Sequence, residues 1–186
     1  MQELVSEYSD IDGKVRIMFE DEAGFGRISE PSYCWAPRGV RPIVPCHRVR
    51  EYVYTYGAVD PIDGTSFFII GRKCNTVWMN AFLDGLSKTY KDDMILLCLD
   101  GASWHKSKSL EIPGNIRLVY LPPYTPEMNP IEQIWKEVRK DGFKNTLFKT
   151  LDKLMDKLCD SLNSLTESIV KSVCGRDWIV SLFDGE

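Results

Sequence analysis

Val15, Ile17 and Phe19 alternate with Arg16, Met18 and Glu20, a period of two that predicts a half-buried strand closing at Asp21, before a break at Gly24 and Gly26. Tyr33 to Val44, punctuated by Pro37, Gly39 and Pro42, reads as a loop or short hairpin. A long strand is expected over Arg48 to Val59. The turn formers Asp60-Pro61-Ile62-Asp63-Gly64 join it to a third strand, Thr65 to Gly71, as an antiparallel hairpin. From Thr76 the spacing changes: Val77, Trp78, Phe82, Leu83 and Leu86 recur at helical intervals. Met94 to Leu99 is an unbroken apolar run, the mark of a central strand buried on both faces. Ile116 to Leu121 supplies a fifth strand. Two apolar stripes follow, Ile131, Ile134, Trp135 and Val138, then Leu151, Leu154, Met155, Leu158, Leu162 and Leu165. The alternation predicts an α/β fold in which those two helices cover the sheet.

Length and composition narrow the class. With 186 residues, 44% of them hydrophobic and 27% charged, one globular domain spanning 1–186 is expected. No stretch approaches 18 consecutive apolar residues and the N-terminus carries no secretory pattern, so a soluble cytoplasmic protein is the default expectation. The six cysteines form no CxxC pair and are expected as reduced, mostly buried thiols. Two histidines, His47 and His105, are too few for a zinc site built from His and Cys.

The net charge of −4 argues against a uniformly basic nucleic-acid binder, but the charge is unevenly distributed. Residues 27 to 50 carry Arg27, Arg38, Arg41, Arg48 and Arg50 against the single acid Glu30. That region is a candidate phosphate contact, with Trp35 inside it. A second basic stretch, Lys136 to Lys157, is equally readable as a solvated helix face.

Three acids stand where metal-dependent phosphoryl transfer needs them. Asp21 ends the first strand on the face of Ile17 and Phe19, whereas Glu20 and Glu22 share the opposite face. Asp100 follows the central strand directly, at a carboxyl end where ligands of open α/β sheets gather. Glu132 opens a helix after the stiff segment Leu121-Pro122-Pro123-Tyr124-Thr125-Pro126. Locally Glu132 also fits a capping box, with Asn129 as N-cap and Pro130 as first helical residue. Hard divalent cations take oxygen ligands from several elements, and two such ions clamp the attacking and leaving oxygens of a phosphodiester. Near these acids, His105 and Tyr124 are candidate DNA contacts, Trp104 is expected in loop or core packing, and Trp135 in the core.

The stretches FEDEAGF, LDGASWH and LPPYTPEMNPIEQIWKEVR resemble the three motifs of the mariner-superfamily transposases, in the bacterial insertion-sequence 630 branch. The resemblance covers about residues 14 to 145. It implies an RNase H-like fold, a mixed five-stranded sheet flanked by helices, with Asp21, Asp100 and Glu132 as the catalytic triad binding two Mg²⁺ or Mn²⁺ ions. It further implies cleavage and strand transfer at transposon ends, DNA as partner, and a homodimer in the active complex. An N-terminal helix-turn-helix portion is expected on a separate or fused reading frame. Gly101 stands where the family often has Asn, and 31 residues separate Asp100 from Glu132, a short gap that predicts a trimmed helix between Asp100 and Ile116. An RNase H-like nuclease or resolvase, and an inactive remnant retaining dimerisation or DNA contact, are the alternatives.

Overall fold

The computed structural model describes residues 13–28, 31–46 and 48–180. One sheet organises them, with strands β1 (Val15–Ile28), β2 (Arg48–Val59), β3 (Ser66–Gly71), β4 (Met94–Leu99) and β5 (Ile116–Tyr120). Their spatial order is β3-β2-β1-β4-β5. β1 pairs antiparallel with β2 and parallel with β4, and β4 pairs parallel with β5, so the sheet is mixed. All six residues of β4 are buried, as its apolar run requires.

Helix α1 (Thr76–Thr89) lies on one face, capped by Asn75, whose side chain accepts a hydrogen bond from the Trp78 amide. Its Met79, Phe82, Leu83 and Leu86 pack with Met18, Tyr56, Ala58, Ile95 and Leu97. Three helices cover the other face: α2 (Ile131–Lys140), α3 (Leu151–Asn163) and α4 (Glu167–Cys174). There Ile17, Phe19, Leu96 and Cys98 meet Ile134, Trp135, Leu154, Leu158 and Val170. A four-residue helix, α5 (Asp177–Val180), follows. Successive β1 residues therefore enter different cores, Ile17 and Phe19 one and Met18 the other.

Several expectations need correction. β1 continues through Gly24 and Gly26 because rings of β2 cross those glycines: a Cβ on Gly26 would meet the Tyr52 ring at 2.2 Å. The second apolar stripe breaks after Asn163, and the chain re-enters a helix at Glu167, with Thr166 capping through the Ile169 amide. Between Asp100 and Ile116 the only helical element is a 3₁₀ turn, Ser103–Lys106. Thiols are mixed in exposure: Cys98 and Cys174 are buried, whereas Cys34, Cys46 and Cys159 are exposed, and none is disulfide-bonded. No helix among the described residues is long and apolar enough to cross a membrane.

Candidate active site

Parallel pairing of β1 with β4 sets the first two acids side by side. Phe19 and Cys98 are the last partners of that ladder, and two residues further along each strand stand Asp21 and Asp100, on the same face. From Tyr120 the chain leaves the sheet through the proline segment. Tyr124 adopts a positive φ of 61°, Thr125 Oγ1 donates to the Pro122 carbonyl at 2.7 Å, and a 3₁₀ turn spans Pro126–Met128. This path delivers α2 beside the strand ends. Asp21, Asp100 and Glu132 consequently line one open cavity of about 480 Å³ with Lys106, Tyr124 and Asn129.

The capping box does not form. α2 starts at Ile131, and Asn129 turns its side chain inward instead, donating Nδ2 to the Glu20 carbonyl at 2.8 Å. That bond ties the segment before α2 directly to β1. Trp135, expected as core alone, is buried but also donates Nε1–H to Asp21 Oδ2 at 2.9 Å. Burial pushes the Asp21 carboxyl up to about 7; the Trp135 bond opposes this, and the nearby Glu132 charge adds to it. Asp100 is held differently: its Oδ1 accepts from the Ala102 amide at 2.9 Å and lies 3.0 Å from His105 Nδ1.

His105 is the largest correction among the candidate DNA contacts. It is 1% exposed and faces the reverse side of β1, where Nε2 lies 3.2 Å from Glu22 Oε1 and 3.7 Å from Glu20 Oε2. A phosphate cannot reach a ring enclosed in this way. Trp104 donates Nε1–H to the same Glu22 oxygen at 2.6 Å. Among the described residues, Glu20, Glu22 and His105 form the group of candidate metal ligands whose donor atoms all fall within 4.8 Å of one another. Asp21, Asp100 and Glu132 share an open cleft instead. The strand alternation showed that Glu20 and Glu22 lie together; it carried no sign that His105 reaches them.

The other candidate DNA contacts are at the surface. Arg38, Arg41, Arg48 and Arg50 are exposed, as is Trp35, and the Tyr124 ring stands fully in solvent at the rim of the cleft. Arg27 is committed elsewhere, to Glu51 and to the Phe148 and Lys149 carbonyls. Lys106, overlooked in the sequence, enters the cleft by folding across Gly101, where an added Cβ would meet its Nζ at 2.6 Å, and lies over the Tyr120 ring.

Residues 16–155 match the model of the DDE superfamily endonucleases. The chain belongs to this family. A DDE endonuclease of this length is 36% identical over 89 residues to the uncharacterized protein y4pE/y4sA of Sinorhizobium fredii, covering 47% of this chain and 66% of that protein. Among solved structures, it is similar to a pre-cleavage Mos1 transpososome at a TM-score of 0.68 and 11% identity. It is also similar to a Mos1 mariner paired-end complex with Mn at 0.66 and 13%. Each match covers 94% of this chain and 56% of the Mos1 chain. The chain thus spans little more than half of the Mos1 length and under two thirds of the bacterial relative. At such identities the likeness establishes the fold, an RNase H-like mixed five-stranded sheet flanked by helices.

Proposed function

We propose that this DDE endonuclease domain, residues 1–186, is the catalytic part of a DNA transposase of the insertion-sequence 630 branch, cutting and joining DNA at transposon ends. The observation that carries the reading is the convergence of Asp21, Asp100 and Glu132, from β1, the end of β4 and α2, on one cavity. Three carboxylates there suit a hard divalent cation, and Asp21, held up near 7 by its burial and by the neighbouring Glu132 charge, is a group that such a cation would satisfy. The Mos1 paired-end complex with Mn is consistent with that choice.

Asp21, Asp100 and Glu132 would hold Mg²⁺ or Mn²⁺. A pair of these ions, when bound, supplies Lewis-acid polarisation of the phosphodiester and a more acidic water or 3′-hydroxyl. The protein's part is to hold its carboxylates still. Trp135 fixes Asp21 through Oδ2, while Ala102 N–H fixes Asp100 through Oδ1, with His105 Nδ1 on the Asp100 carbonyl and close to the same Oδ1, and Oδ2 is left for a ligand. Lys106 places a positive charge at the wall of the same cleft, suited to a phosphate oxygen. Arg38, Arg41, Arg48 and Arg50 would track the DNA backbone, and Tyr124 would stack on a base near the cut. Sequence-specific end recognition belongs to an N-terminal helix-turn-helix portion, encoded separately or fused, and the active complex is a homodimer acting on DNA in the bacterial cytoplasm.

The test is a cleavage and strand-transfer assay on terminal-repeat duplexes, with Mg²⁺ or Mn²⁺, using the chain joined to its DNA-binding portion. Nicking with joining of the liberated 3′-hydroxyl to target DNA supports transposition. Nicking without joining would replace it by a nuclease or resolvase. Absence of both, with DNA binding retained, would leave an inactive remnant.

A further inference from the structure

The reverse face of β1 carries a second group that the cleft chemistry does not use. Glu20 is 0% exposed, and neither of its carboxylate oxygens accepts a hydrogen bond among the described residues. A buried carboxylate in that state is costly unless something positive lies against it. Glu22 beside it is a second acid and makes the deficit worse, while His105 directs Nε2 at both.

We propose that Glu20, Glu22 and His105 form a divalent transition-metal site of the zinc class, separate from the cleft. Three features fit. The donor set, two carboxylates and one imidazole, suits Zn²⁺ better than Mg²⁺, which keeps its waters and avoids nitrogen. Metal–ligand bonds of about 2.0–2.2 Å at tetrahedral angles place donor atoms roughly 3.3–3.6 Å apart, and the distances from His105 Nε2 to Glu22 and Glu20 are 3.2 and 3.7 Å. Finally, the ligands are already oriented from behind. His105 Nδ1 lies 3.2 Å from the Asp100 carbonyl, the outer partner that fixes a ligating imidazole, and Trp104 N–H pins the Glu22 oxygen.

A proton on Nε2 alone would satisfy one contact of His105 and leave Glu20 bare, whereas a divalent ion satisfies both acids together. The uncompensated charge reaches further: burial pushes the Cys74 thiol up to about 11, with Glu22 and Glu20 adding to the rise. Bound there, the ion would hold β1 to the 3₁₀ turn that carries His105 and so steady Asp100 from the far side of the sheet.

The experiment counts retained metal in the full chain. Wild type and an Asp21→Asn/Glu132→Gln variant, whose cleft ligands are removed, are loaded with Zn²⁺, or with Co²⁺ as an optical probe, then desalted and analysed by elemental mass spectrometry. One ion per chain is expected in both, with visible Co²⁺ bands of a four-coordinate site. Excess Mg²⁺ is expected not to displace it. Glu20→Gln should lower retention at least tenfold. Because this variant is isosteric and removes a buried charge, it should melt higher than wild type without metal, and added Zn²⁺ should raise the melting temperature of wild type alone. No ion retained by the double variant, or unchanged retention in Glu20→Gln, would overturn the site and leave a protonated carboxyl and imidazolium as its content. Neither result bears on the cleft, whose reading stands or falls on the cleavage assay.

Discussion

The two ends of the β1–β4 pair hold acids in opposite ways. At the start of these strands Asp60, Asp63 and Asp93 surround the Arg16 guanidinium, Lys14 joins Asp63, and the Tyr90 ring lies 4.6 Å below Arg16. Hydrogen bonds from Lys14, Thr65 and Arg16 outweigh burial and hold the Asp63 carboxyl well below its ordinary range. At the other end Glu20, Asp21, Glu22, Asp100 and Glu132 gather with two indole N–H groups, one imidazole and Lys106. There burial dominates, and the Glu20 and Asp21 carboxyls are pushed up. Acids matched within the chain hold the fold together; acids left unmatched are the ones that the proposed cation sites would use.

Substitutions at the two ends should separate these roles. The largest effect is expected from Asp100→Asn, which should cut metal-dependent DNA cleavage by on the order of 10³-fold while circular dichroism and melting stay near wild type. Retained cleavage would remove Asp100 from the triad. Next, Arg16→Met should spare the cleft but leave Asp60 and Asp93 without their salt-bridge partner and Asp63 with Lys14 alone, costing about 3–5 kcal/mol in urea unfolding at pH 7. A loss below ~1 kcal/mol would make that end as dispensable as an exposed pair.

The third prediction uses pH, because the signs differ at the two ends. For Asp63 the folded carboxyl is more acidic than the unfolded one, so its stabilisation is present above about pH 4 and is lost on acidification. For Asp21 the folded value, about 7, lies above the unfolded one, so stability falls as pH rises from about 4 to 7. Asp21→Asn should therefore stabilise the metal-free protein by a few kcal/mol at pH 8 and by nothing at pH 4. A gain independent of pH would assign it to packing. The smallest effect belongs to Lys106→Ala: a few-fold weaker duplex binding, with the salt slope reduced by about one contact, read from titrations at two ionic strengths.

Much of this division was legible before the fold was known. Alternation along β1 separated Asp21 from Glu20 and Glu22, and the apolar run of β4 put Asp100 at a central strand end. What stayed hidden depends on contacts distant in sequence. Gly24 and Gly26 read as a break until the Tyr54 and Tyr52 rings are seen across them. Asn129 has every local reason to cap α2, yet a carbonyl on β1, 109 residues away, takes its side chain. Trp135 fits a core stripe so well that its single polar atom, the one that meets Asp21, leaves no trace in the pattern. His105 could be placed near the acids by motif, but only the 3₁₀ turn at Ser103–Lys106 determines which face of the sheet it serves.

The two-sidedness of β1 has a consequence for how such a chain can change over generations. Its odd positions from Ile17 to Asp21 serve one core and the cleft, and its even positions from Met18 to Glu22 serve the other core and the buried acids. Exchanging one side chain alters one surface. Inserting or deleting a single codon between Val15 and Asp21 would rotate everything beyond it by half a turn and trade the two sets of carboxylates across the sheet. This stretch should therefore drift in composition yet keep its length, while the exposed segment around Gly39, outside the ladder, is where added or lost residues can be absorbed.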